Sequence, residues 1–285
     1  MDGLLLIDKP AGPTSHDVVA AARHALGERR VGHAGTLDPA ATGLLVVLAG
    51  RATRLARFVA LLPKRYRGTI RFGAETSTDD AAGAPTERDG SWRERSDAEV
   101  AAAVSAVAAR PTQVPPHVSA RKVAGERAYR LARRGADVVL AATPVRITVL
   151  SCGALDRTSG ELQLEIECGS GTYVRAVARD VGRELGSRAH LGALRRLAIG
   201  PWRVEDAVPL DALGSGAALK PLDEAVRHLP SLAVSAAHAE ALAHGRRIEE
   251  PTRLEGPVAV YGEGRLVAVA EWREGQYAPL VVLTA

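Results

Sequence analysis

The densest group of chemically unusual residues in the chain is Gly32-His33-Ala34-Gly35-Thr36-Leu37-Asp38-Pro39. Its glycines permit backbone shapes closed to other residues, and Pro39 restricts Asp38 to extended geometry, so the loop presents one carboxylate in a fixed pose. Taken alone, Leu37-Asp38-Pro39 is better explained as a turn in which Asp38 accepts from local amides. Only a partner group or a family match makes it catalytic. Other chemistries find less support. The histidines at 16, 24, 33, 117, 190, 228, 238 and 244 make no H-x-H, H-x-x-x-H or H-E-x-x-H, and neither cysteine is near one, so no metal site is expected. Thr14-Ser15-His16-Asp17 has the residue types of a hydrolytic triad. Neighbours on a helix point apart, however, and helix capping explains these residues better. No phosphate-binding P-loop occurs, and the glycines do not space as G-x-G-x-x-G, so no nucleotide cofactor is indicated.

Positive charge suggests the partner. Between Arg51 and Arg71 lie seven basic residues, no acidic one and Tyr66, a candidate stripe for a nucleic-acid backbone. Over 110–210 there are 16 Lys+Arg against 10 Asp+Glu, whereas 211–285 turns negative with 7 against 10. Most of the positive charge is arginine, suited to forked contact with phosphate, although an alanine- and arginine-rich composition also follows from genome base content. The 285 residues, 46% hydrophobic and 25% charged, fit a folded catalytic domain with a small appendage and exclude a disordered chain. Cys152 and Cys168 do not form a C-x-x-C and are expected to be reduced, buried hydrophobes in a cytoplasmic protein. Asp8 and Lys9 interrupt the N-terminal apolar run, which argues against export or a membrane span.

The elements that must position these groups follow from periodicity and punctuation. Gly3–Ile7 reads as a strand, and Thr14 or Ser15 caps a helix that ends at Gly27. LLVVLA before Gly50 is a buried run leading to a basic helix over 51–62. Tyr66–Phe72 reads as a strand, 74–95 as mostly loop, and Ser96 caps a helix to Ala109. A helix is expected over 126–134, a hairpin from 147–155 and 162–168, and an amphipathic helix over 173–185. Residues 189–203 are basic and apolar without an assigned element. Beyond about Leu210 a small all-β module is expected, with strands at 258–261 and 266–270 joined by Gly262-Glu263-Gly264.

Five stretches then carry a resemblance: GLLLIDKPAGPTSHDVV, RVGHAGTLDPAATGLLVV, KRYRGTIRFGAETSTDDAAG, QVPPHVSARKVAGERAYRLARRG and CGSGTYVRAVARDVGRELGSRAHLGALRRL. Together, over roughly residues 3–200, they resemble the successive motifs of the TruB family of tRNA pseudouridine synthases. The C-terminal part is similar to the PUA-like RNA-binding module that follows such domains. The resemblance implies an α/β (α+β) fold with a mixed, mainly antiparallel sheet and flanking helices over 1–210, then a small β-rich PUA-like module over 211–285.

It further implies an isomerase that converts a uridine in the T-loop of tRNA, position 55, to pseudouridine without a cofactor. Asp38 falls on the catalytic aspartate, Arg175 on the arginine that pairs with it, and Tyr66 on the tyrosine that stacks on the target base. Leu194 matches an apolar wall of the base pocket, and His33 a histidine inserted into the RNA loop. Lys9 is read as supporting the pocket near Tyr66, and Lys122 as an RNA or structural contact. Arg51, Arg54, Arg57, Arg65, Arg67, Arg195 and Arg196 are phosphate-contact candidates. A monomer acting on the tRNA T-arm without a protein partner or a membrane is expected. The rival readings are a non-catalytic RNA-binding or tRNA-folding protein, and a synthase for another RNA.

Overall fold

A computed structural model describes residues 1–118, 122–123, 126–127, 140–214 and 219–283. Along the chain come β1 (Gly3–Lys9), α1 (Ser15–Leu26), β2 (Val31–His33), β3 (Thr42–Ala49), a 3₁₀ turn (Gly50–Leu55), α2 (Ala56–Ala60) and β4 (Lys64–Phe72). Next are β5 (Ala74–Thr76), β6 (Pro85–Arg88), α3 (Asp97–Ala108), β7 (Thr112–Gln113), β8 (Lys122–Val123), β9 (Glu126–Arg127) and β10 (Thr143–Pro144). Then follow β11 (Ile147–Cys152), β12 (Glu161–Cys168), α4 (Val174–Glu184), β13 (Ala189–Ile199), β14 (Trp202–Arg203) and β15 (Val208–Pro209). The chain ends with β16 (Ser231–Val234), α5 (Ala236–Ala243), β17 (Pro257–Gly262), β18 (Arg265–Arg273) and β19 (Gln276–Val282). These fall into two compact units, one of Met1–Asp38, Leu44–Leu61 and Gly200–Ala285, the other of Pro39–Gly43 and Leu62–Ile199.

In the first unit β1 lies between β15, its parallel partner, and β3. Such a strand is buried on both faces, and its run of leucines lacks alternation for that reason. Val18, Val19 and Ala22 of α1 close a core with Leu5, Ile7, Val31, Leu45, Val47, Ala49 and Leu213. Thr14 caps α1 through a reciprocal pair with Asp17, and Gly27 ends it in left-handed conformation at φ 59°. The same unit holds a second sheet in the order β16-β17-β18-β19, whose core includes Leu232, Val258, Val260, Ala268 and Tyr277, with Leu242 of α5 among them. The module expected to be all-β therefore carries the α-helix α5, capped by Ser235.

In the second unit β11, β12, β4 and β13 form an antiparallel sheet in that order, with Tyr66 opposite Ile166 on one side and Arg196 on the other. Beyond β13, Arg195 and Arg196 pair in parallel with Thr42 and Gly43. Gly43, at φ 100°, has no room for a side chain: a Cβ there would lie 2.2 Å from the Arg196 carbonyl oxygen. The sheets are thus mainly antiparallel with parallel pairs among them, as the resemblance implied.

Several elements depart from expectation. Segment 74–95 is not mostly loop, because Ala74–Thr76 and Pro85–Arg88 pair as a short ribbon. The basic helix over 51–62 is a 3₁₀ turn followed by five α-helical residues. Leu194, which taken alone reads as helix core, lies in β13. Glu126 and Arg127 are extended and paired with Lys122 and Val123, not the start of a helix; the rest of the helix expected over 126–134 lies outside the described residues.

Candidate active site and basic surfaces

In the first unit β2 and β3 pair antiparallel, with His33 opposite Val47, and the Ala34 amide donates to the Val46 carbonyl at 3.0 Å. The segment carrying Asp38 is therefore the connection between two paired strands. Its φ of 107° makes Gly35 a position where other residues would be strained. Leu37 is buried, and one side chain engages both of its backbone polar groups: its amide donates to Ser15 Oγ at 2.9 Å, and Ser15 Oγ donates to its carbonyl at 3.1 Å. Thr14 serves as the helix cap, so the Ser15 hydroxyl is left for the loop. Asp38 itself is half-buried. The rings of His16 and His33 meet edge to face at 5.7 Å. Lys9 is fully buried at the end of β1 and donates to the Pro10 carbonyl at 2.8 Å.

In the second unit adjacent strands bring Tyr66, Leu194, Arg195 and Arg196 together. Tyr66 is buried, and the guanidinium carbon of the fully buried Arg196 stands 6.0 Å from its ring centroid, at the outer range of a cation–π contact. Leu194 pairs with Gly68 and Arg195 with Arg67, both Leu194 and Arg195 being half-buried. Lys64 lies two residues before Tyr66 on the same face. Burial, reinforced by the charge of Arg196, pulls its pKa from 10.5 down to about 8. Between those values the unfolded chain keeps a proton that the folded chain has lost, so this lysine makes stability rise with pH across that window. Lys64→Met removes that rise, which denaturant titrations at several pH values across the window would register.

Helix α4 carries Arg175, Arg179 and Arg183 four residues apart, hence along one face. Each meets an acid from the segment following β4. Arg183 forks onto Glu75 with both bonds at 2.7 Å, Arg179 bonds Asp79 at 2.8 Å, and Arg175 Nε lies 3.7 Å from Asp80 Oδ2. Arg175 is buried, and it also donates to the carbonyls of Thr78 at 2.9 Å and Val118 at 3.1 Å, which fixes its plane. Asp79 adopts φ 59°; burial raises its pKa, against the opposing charges of Arg179 and Arg175. The Gln113 side-chain oxygen accepts from the Tyr173 amide at 2.9 Å, just before α4 begins. Glu75, Asp79, Asp80 and Ser15 were not identified from sequence. The available signal was the arginine spacing along one face of α4, where the helix's own acids Asp180 and Glu184 leave Arg175 without a carboxylate four residues away.

The basic stripe divides. Arg65 and Arg67 both reach Glu165 on β12, Arg67 at 3.3 Å. Arg51 forks onto Asp2 and donates to the Leu283 carbonyl at 2.8 Å. Arg54 donates to the Val282 carbonyl at 2.8 Å and Arg57 to the Leu280 carbonyl at 3.0 Å. Three arginines expected at phosphate thus line the outer edge of β19. Converting Arg51, Arg54 and Arg57 together to Gln is expected to raise protease sensitivity at residues 276–283; an unchanged digestion pattern would show that the arginines do not hold this strand. The Lys122 side chain lies outside the described residues. Cys168 is buried, its thiol pushed up to about 11 by burial. Cys152 is exposed on β11, against the expectation that both are buried, because β11 is the edge strand of its sheet. Among the described residues no helix is long and apolar enough to cross a membrane.

Comparison with known proteins defines the class. Residues 23–174 match the model of the TruB family pseudouridylate synthase N-terminal domain, and residues 229–284 that of the tRNA pseudouridine synthase II C-terminal domain. The tRNA pseudouridine synthase B of Thermobifida fusca is 47% identical, over 99% of this chain and 98% of its own length. The proteins of the same name from Nocardia farcinica and Streptomyces coelicolor are each 44% identical, over 99% of this chain and 94% and 97% of theirs. The chain belongs to the TruB family of pseudouridylate synthases. Its fold is shared with chains in the crystal structures of an archaeal box H/ACA sRNP Nop10-Cbf5 complex and of a Cbf5-Nop10-Gar1 complex. Both have a TM-score of 0.70, at 21% and 22% identity, covering 99% of this chain and 86% and 84% of those.

Proposed function

We propose that this protein converts one uridine in the T-loop of tRNA, position 55, to pseudouridine, with Asp38 as the nucleophile on a base flipped out of its stack. The observation that carries this reading is near-half identity over almost the whole chain to proteins named tRNA pseudouridine synthase B. Isomerisation breaks N1–C1′, turns the ring and joins C5 to C1′. The hydrogen on C5 leaves to solvent and N1 takes up a proton, so the balance requires no redox partner and no transferred group. The Asp38 carboxylate attacks C1′ or C6, or assists elimination. Arg175 supplies the guanidinium that pairs with it and fixes its direction. Tyr66 receives the extruded base on its ring and Leu194 walls the pocket, offsetting an unstacking cost of a few kcal/mol.

His33 enters the folded RNA loop, with Lys9 behind the pocket. Arg65, Arg67, Arg195 and Lys122 are the first candidates for phosphate, followed by Arg51 and Arg54, whereas Arg196, expected at phosphate from the sequence, is fully buried beside Tyr66 and is not among them. The catalytic part is 1–210 and the RNA-binding module 211–285. The protein works as a monomer in the cytoplasm, where its tRNA substrate resides.

Tyr66→Phe keeps the stacking face and loses the hydroxyl. Turnover is expected to fall by about 10²- to 10⁴-fold with tRNA affinity unchanged if the hydroxyl moves a proton; unchanged turnover would confine Tyr66 to stacking. The reading as a whole is tested by mapping pseudouridine after treating a tRNA transcript, an isolated T-arm hairpin and a ribosomal RNA fragment. Product at the single T-loop position of the first two is expected. Product in the ribosomal fragment alone would move the substrate class to another RNA.

A further inference from the structure

We infer that Ser15 is a positioning residue for the nucleophile: through its buried hydroxyl, helix α1 sets the peptide from which Asp38 emerges. The inference rests on Asp38 being the nucleophile. Ser15 is 1% exposed, and its hydroxyl bridges the amide and the carbonyl of Leu37, accepting at 2.9 Å and donating at 3.1 Å. A hydroxyl has one proton to donate, and it is spent on that carbonyl. The capping box of α1 is complete without it, since Thr14 and Asp17 supply both halves. Ser15 is therefore not needed to start the helix. Val18, Val19 and Ala22 anchor α1 in the core shared with β1, β2 and β3, so the hydroxyl ties a rigid element to the residue immediately before the carboxylate.

Removing the hydroxyl leaves two buried backbone groups of Leu37 without this partner, and relaxing them moves the Leu37-Asp38 peptide. Displacements on the ångström scale at a reacting group cost about 100-fold in rate.

The test is single-turnover pseudouridine formation with enzyme in excess over tRNA, for wild type, Ser15→Ala, Ser15→Thr and Asp38→Asn, with tRNA affinity measured alongside. Folding at the assay temperature is checked by circular dichroism. Ser15→Ala is expected to slow the single-turnover rate about 10- to 100-fold with affinity within about twofold of wild type. Ser15→Thr, which keeps the hydroxyl, is expected to retain most of the rate. A wild-type rate in Ser15→Ala, an equal loss of rate and affinity, or a Ser15→Thr variant as slow as Ser15→Ala would each overturn the assignment. Asp38→Asn reads the underlying premise separately: substantial activity there removes the nucleophile reading whatever the Ser15 variants do.

Discussion

Asp38→Asn is expected to bind tRNA with near wild-type affinity and to form no measurable pseudouridine, a loss of about 10⁴-fold or more. The amide matches the carboxylate in size but has no anionic oxygen for covalent attack. Two contacts that hold the loop are made by neighbours: Ser15 bonds the backbone of Leu37, and the Ala34 amide bonds Val46. Neither requires the Asp38 charge. Binding, spread over many phosphate and base contacts, should therefore survive. Filter retention of tRNA and quantified pseudouridine separate the two effects. Comparable activity in the variant would remove the nucleophile from this account.

Arg175→Lys is expected to lower turnover about 100-fold, because the geometry of the group matters as much as its charge. The guanidinium donates to two carbonyls, those of Thr78 and Val118, and lies along the Asp80 carboxylate. A single ammonium on a shorter reach cannot occupy all three directions. Arg183→Lys is the internal control: it shares the face of α4 and has a carboxylate partner in Glu75, but its side chain is 55% exposed. Lys keeps the charge opposite the buried Glu75, and turnover should hardly change. Equal effects at positions 175 and 183 would mean that both substitutions act only on helix stability.

Elements with uninterrupted periodicity and an intact cap were legible from sequence. Helix α1 and helix α3 begin where Thr14 and Ser96 place them, and the hairpin β11–β12 brackets the turn 156–160. Strand β13 was not legible, because bulges between Leu191 and Ala193 and between Arg196 and Ala198 break the two-residue alternation, and a fully buried arginine sits within it. The ribbon β5–β6 was lost for a different reason: strands of three and four residues among charged side chains carry no apolar pattern. Site candidates such as Asp38, Tyr66 and Arg175 were reached through motif resemblance, since each taken alone has a commoner structural explanation. Side-chain direction was the least legible property. Composition marks Arg51, Arg54 and Arg57 as cationic but not as donors to strand carbonyls, and nothing local shows that Ser15 leaves the cap to its neighbour.

The most direct measurement of the central claim uses tRNA transcript carrying uridine tritiated at C5, the purified protein without additives, and a chelator. Joining C5 to C1′ expels that hydrogen, so tritium release counts turnovers. The account predicts release equivalent to one uridine per tRNA, matched by pseudouridine at one T-loop position, indifferent to chelation and absent with Asp38→Asn. Tight tRNA binding without any tritium release would contradict it and leave a protein that holds RNA on this fold without isomerising it.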